Sequence, residues 1–292
     1  MSFPSRRGLR QRFYALAFAL LAGACLWTLA AAGDLSLGRN PWDNLARTAS
    51  ELSRPSFLDA WFGETRLEYR ADDGRVLRVE NRQETERAFL AGLARAVWST
   101  LQVATLGSLL AAVIALPFGV LVARNMALPR WVAAPAKLLL DTCRAIHSLV
   151  FALVFVGIVG LGPMAGILAI AAHSLGTYGK LYAEAIETMD RPLFEAALAL
   201  GGTPVQGLRF ALWPAVMPQW ISTHLYVWEY NVRDSTVLGL IGAGGLGLLV
   251  SEAVSLFQWG RLATILIAIV ALVFTFDAAS RRIRTDLLSH GD

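Results

Sequence analysis

The twenty residues from Phe13 to Ala32 carry no charged side chain, and about 20 apolar residues in a helix is what a hydrocarbon core about 30 Å thick requires. Five further stretches approach the same pattern: Val97 to Ala123, Ala145 to Leu161, Met164 to about Tyr182, about Met217 to Ile241, and Leu262 to Ala279. Backbone groups in lipid must be satisfied inside the span, and a helix does this within one run of this length. The chain is therefore read as an all-α polytopic membrane protein with about six transmembrane helices. Of its 292 residues 55% are hydrophobic and 16% charged, too apolar for a water-soluble domain of this size. The first run is longer than the 7–15 residues of a signal-peptide core, so it reads as an anchor rather than a cleaved leader.

Charge placement sets the topology. Of 48 charged residues, 20 fall between Asp34 and Arg87. Placing the N-terminus and Arg6, Arg7, Arg10 and Arg12 in the cytoplasm puts Arg124, Arg130, Lys137 and Arg144 there too. Lys180, Arg191, Arg209, Arg281, Arg282 and Arg284 follow them, while short outer connections keep only Arg233 and Arg261. Both termini are expected inside. The division is 1–33 for the N-terminus and first helix, 34–92 for a periplasmic insert, and 93–286 for the transmembrane domain. Within the insert, Leu67, Tyr69 and Val76 alternate with charges around Asp72-Asp73-Gly74, which predicts a β-hairpin. From Gln83, Phe89, Leu90, Leu93 and Val97 recur at helical spacing and predict an amphipathic helix leading into the second span. The basic residues form no continuous face, so nucleic acid is not expected as a partner.

Several soluble-enzyme motifs are absent or misleading. Gly242-Ala-Gly244-Gly245-Leu-Gly247 satisfies G-x-G-x-x-G, but it follows a membrane span and no acid lies between Glu252 and Asp277 to hold a ribose. A tight backbone turn is the better reading. The only lysines, Lys137 and Lys180, are outside any phosphate-binding loop, so this chain is not expected to hydrolyse ATP. His147, His173, His224 and His290 are dispersed, and no metal site is expected. Cys25 and Cys143 read as small buried hydrophobes.

Between the fourth and fifth spans lie Glu195-Ala196-Ala197, then Gly201 and Pro214. This spacing resembles the EAA signature of MetI-like inner-membrane permeases of binding-protein-dependent ABC transporters, although Trp213 stands where leucine is usual. Asp141-Thr-Cys-Arg144-Ala-Ile-His147, Val159-Gly-Leu-Gly162-Pro163 with Gly166, and Glu229-Tyr-Asn231-Val-Arg233-Asp-Ser-Thr-Val-Leu-Gly239 running into the glycine-rich turn look like the phosphonate-transporter permease family. The resemblance covers roughly residues 93–286.

It implies a MetI-like core with a cytoplasmic EAA coupling helix. The complex would import phosphonate, phosphite or hypophosphite across the bacterial inner membrane. Its other parts would be a second copy of this permease as a homodimer, two ABC ATPase subunits and a periplasmic phosphonate-type binding protein. No cofactor would sit on this chain; ATP and Mg2+ would bind the partner ATPases. Glu195, Ala196, Ala197, Gly201 and Pro214 would couple to the ATPase. Arg233 with Asn231 would line the outer gate of an anion path, since a guanidinium forks onto oxyanion oxygens; Arg144 and His173 are secondary candidates. Glu229, four residues before Arg233, can instead neutralise it on one helix face. The rival readings are a MetI-like permease for an amino acid and an integral-membrane enzyme. The latter needs a nucleophile and base that the Glu229–Asp234 cluster does not display.

Overall fold

A computed structural model describes residues 6–33, 40–65, 67–70, 76–126, 128–188 and 199–289. They fall into two compact units, 1–50 and 51–292.

In the first unit, α1 (Arg6–Ala32) is a helix of 27 residues, closed by Gly33 in the left-handed region at φ 76°. Helix α2 (Pro41–Leu52) begins there as well. Its proline sits in the first turn, where a missing N–H costs nothing, and Asp43 faces the positive end of the helix dipole. Cys25, expected to be buried, is exposed, and Cys143 is half-buried. In a membrane chain a small apolar side chain meets lipid as readily as protein.

The second unit is organised around α4 (Arg82–Val122), a helix of 41 residues. At 1.5 Å per residue it is about 60 Å long, twice the bilayer core. The predicted amphipathic helix and the second span are thus one continuous element. Asn81 caps it by accepting the Glu84 N–H at 3.3 Å. Its first turns carry the short helix α3 (Asp59–Phe62) and the preceding 3-10 turn Ser56–Leu58. Arg87 Nε donates to the Ala60 carbonyl at 3.0 Å, Gln83 Nε2 to the Gly63 carbonyl at 3.0 Å, and Arg82 pairs with Asp59 at 2.8 Å. Strands β1 (Leu67–Arg70) and β2 (Val76–Glu80) pair antiparallel with Leu67 opposite Glu80. The predicted hairpin is present; its Asp72-Asp73-Gly74 turn lies outside the described residues.

The third predicted span, Ala145 to Leu161, is corrected. Helix α6 (Ser148–Val159) has only 12 residues and follows α5 (Arg130–Ala145) through a 95° bend. The break sits at Ile146–His147, where the His147 ring accepts the Leu149 N–H at 3.2 Å and starts a new helix. Helix α7 (Pro163–Glu187) comes next. Beyond residues 189–198, which lie outside the described residues, come α8 (Pro204–Gly207), a π-helical stretch Leu208–Leu212, α9 (Trp213–Leu238), α10 (Leu246–Ser255) and α11 (Trp259–Ser289). Among the described residues, three helices are long and apolar enough to cross a membrane, α1, α4 and α11, or five spans if each bent pair counts as one. The expected count was about six. Helix α7, predicted as the fourth span, falls short on apolar content because it carries His173, Ser174, Thr177, Tyr178 and Lys180; it is instead packed among α4, α5, α6 and α9.

Close approach holds this bundle. Lipid tails are as apolar as leucine, so helices in a bilayer associate by packing small residues. A Cβ on Gly107 would meet Ile170 at 2.8 Å, and one on Gly119 would meet Tyr182 at 2.8 Å, which locks α4 against α7. Gly179 admits Leu140 of α5. Of the small pair Gly162 and Gly166, only Gly166 makes a close helix contact, with Val103 and Ala243. Gly162 adopts φ 145° and caps α7.

Candidate functional site

The glycine-rich run returns the chain from α9 into α10. Gly242, Gly244 and Gly245 have φ of 93°, 78° and 71°, the left-handed region that favours glycine. A Cβ at Gly247 would collide with the Thr236 carbonyl, and one at Gly245 with the Thr100 hydroxyl. That hydroxyl accepts the Leu246 N–H at 2.9 Å and donates to the Ala96 carbonyl at 2.9 Å. The Gly162 N–H donates to the Gly242 carbonyl at 2.9 Å. The turn is therefore sewn to both α4 and α7. Thr100 was not singled out in the sequence, since a lone threonine in an apolar run gives no signal.

Helix α9 carries the candidate pathway residues, and it separates them. Asn231 is fully buried; its amide donates to the Ser108 and Ser174 hydroxyls at 2.8 and 2.9 Å, joining α4, α7 and α9. Arg233 is two residues on, about 200° around the helix, and its side chain is 58% exposed. Arg233 lies 3.8 Å from Glu229, and Glu229 also lies 3.9 Å from Arg284 of α11. The internal pair foreseen in the sequence is present, with a second guanidinium added: two positive charges against one negative. Asp234 is buried, and its Oδ2 has no hydrogen-bond partner.

His173 sits at the helix break. Its Nδ1 lies 2.8 Å from the Ile146 carbonyl; a carbonyl only accepts, so Nδ1 carries the proton. The His147 ring is 6.1 Å away, centroid to centroid. Beside it a cavity of about 210 Å³ opens between α7 and α9, lined by His173, Ser174, Thr177, Tyr226, Val227 and Tyr230. Thr177, Tyr226 and Tyr230 were not read as site residues, although Tyr226, Tyr230 and Arg233 follow helical spacing that a search for polar stripes would have caught.

Arg144 belongs elsewhere. It pairs with Asp141 at 3.7 Å and lines a larger groove of about 950 Å³ under α5. There Arg124, Arg130, Lys137 and Lys180 face Asp141, Glu184 and Glu187. Glu195, Ala196 and Ala197 lie outside the described residues. Gly201 has φ 85°, and Thr203 with Gln206 forms a reciprocal cap on α8 through bonds of 2.8 and 3.4 Å. Pro214 occupies the first turn of α9.

Bent apolar helices around a polar seam define a class, the integral-membrane permease. The fold matches a chain of the MetNI methionine ABC transporter in inward-facing conformations, with TM-score 0.61 and 25% identity over 67% of this chain and 95% of that one. The profile of the binding-protein-dependent transport system inner membrane component family matches residues 115–287, and the chain belongs to that family. It is 40% identical over 190 residues to the phosphite transport system permease protein PtxC of Stutzerimonas stutzeri, covering 65% of this chain and 69% of PtxC. It is also 40% identical over 185 residues to the permease protein HtxC of the same bacterium, covering 63% of this chain and 66% of HtxC. The chain thus spans about two thirds of the length of these curated relatives.

Proposed function

We propose that this chain is the permease subunit of an ABC importer for phosphite, phosphonate or a related phosphorus oxyanion. The observation that carries the solute class is the 40% identity to PtxC, well above the 25% identity to the methionine transporter chain. The complex is a homodimer of this permease with two ATPases that bind ATP and Mg2+, and with an external binding protein that presents the solute. Both termini lie in the cytoplasm. The chain performs no chemistry of its own: it moves solute by rigid-body rearrangement of the two copies.

Glu195, Ala196, Ala197, Gly201 and Pro214 transmit ATPase closure. Support for this comes from Gly201, whose positive φ allows a sharp return before α8. Arg233 is the charge on the anion path. Arg233 lies in the last two turns of α9; a charged side chain within a span usually faces a partner or a water-filled cavity, and an exposed ion pair returns only about 0–1 kcal/mol. Its exposed side is therefore better matched to water or to the second copy than to lipid.

Uptake of labelled phosphite by the complete complex in proteoliposomes tests the reading. It predicts ATP-dependent uptake that excess phosphonate competes away and methionine does not; methionine uptake without phosphite uptake would refute it.

A further inference from the structure

We propose that the cavity between α7 and α9 is a mid-path oxyanion site, in which the hydroxyls of Thr177, Tyr226 and Tyr230 hold the solute beside His173 and one turn from the Arg233 guanidinium. The inference rests on the proposed solute class and adds to it the place and the groups that bind.

Three observations converge on this cavity. The first is a polar stripe. Tyr226, Tyr230 and Arg233 are spaced four and three residues apart and so share one side of α9. They are 57% and 42% exposed for the tyrosines and 58% for the arginine side chain, and neither tyrosine hydroxyl has a hydrogen-bond partner among the described residues. Such a surface suits a water-filled path, not lipid.

The second is the broken helix. Non-helical backbone at membrane depth persists only where it is buried in protein or lines a wet cavity. At the Ile146–His147 break the Ile146 carbonyl is satisfied by His173, whose ring lines the cavity.

The third is chemistry and size. A cavity of about 210 Å³ takes a tetrahedral oxyanion with several waters, each about 30 Å³. Arg233 and Arg284 both lie against Glu229 and, with the buried Asp234 carboxylate beside them on α9, make two charges of each sign, so the hydroxyl donors and not a net positive charge hold the anion. Neutral hydroxyl donors bind weakly enough to release, which a conduction site requires.

The test uses the complete complex with its binding protein in proteoliposomes, labelled phosphite, and two variants: the double change Tyr226→Phe with Tyr230→Phe, and Thr177→Val. The expected result is a maximal uptake rate lowered by about tenfold in the first and about threefold in the second, changes in transport barrier of a few RT at most. Half-saturating phosphite should stay unchanged, because the binding protein sets it, and so should binding-protein-stimulated ATP hydrolysis. A purely structural role would lower uptake and ATP hydrolysis together. If both variants transport within about twofold of wild type, the site is wrong while the solute class stands. If the tyrosine variant does not assemble, Thr177→Val decides alone. If the wild-type complex moves no phosphorus oxyanion, the solute class falls and this assignment falls with it.

Discussion

On one side of α9, Asn231 is fully buried and its amide is spent on Ser108 and Ser174, while Ser235 donates to the Thr100 carbonyl at 3.3 Å. On the other side, Tyr226, Tyr230 and Arg233 remain substantially exposed, and the carboxylate paired with Arg233, Glu229, is shared with Arg284. The same helix thus carries polar residues of two kinds. Those facing α4 and α7 are satisfied within the protein and fix helix register, because a buried amide left unpaired is costly. Those facing away are exposed, and neither tyrosine hydroxyl has a hydrogen-bond partner among the described residues. Polarity inside a span is consequently no guide to transport until its partners are known.

The comparison can be broken from either side. The largest effect is expected at the turn that anchors the satisfied side. Gly247→Val puts a branched side chain onto the Thr236 carbonyl and the Gly239 backbone, and should leave no monodisperse complex on size-exclusion chromatography in detergent. A normal elution profile would show that the turn is looser than this geometry. Next comes Asn231→Leu, which leaves Ser108 and Ser174 without their shared partner at a cost of about 1–3 kcal/mol. A lower melting temperature is expected, with uptake per folded complex held within about twofold of wild type. Loss of transport at full stability would move Asn231 to the solute side. The smallest effect is expected at Arg82→Ala, where a surface pair with Asp59 contributes about 0–1 kcal/mol; thermal melting should not resolve it from wild type.

Much of the fold was legible because lipid imposes length and apolarity on each span. The runs at Phe13, Val97, Met217 and Leu262 became α1, α4, α9 and α11. The run from Ala145 misled: a break at His147 is made by one imidazole nitrogen capping a new helix, and hydropathy does not register it. Helix α2 went unseen inside the charged block, where its short amphipathic pattern resembles a solvated loop. For the site, the glycine spacing announced a turn, but Thr100 that fastens it was invisible. Asn231 and Arg233 were read as neighbours on one path since they are two residues apart. Only contacts from Ser108, 123 positions away, and Ser174, 57 away, show that they point in opposite directions.

The central claim is that the exposed side of α9 serves the solute and not the fold. It is tested most directly by labelled-phosphite uptake per assembled complex for Arg233→Gln. The account predicts a loss of about tenfold or more, the scale of one charge-assisted hydrogen bond, at an unchanged melting temperature. Wild-type uptake in that variant would contradict it.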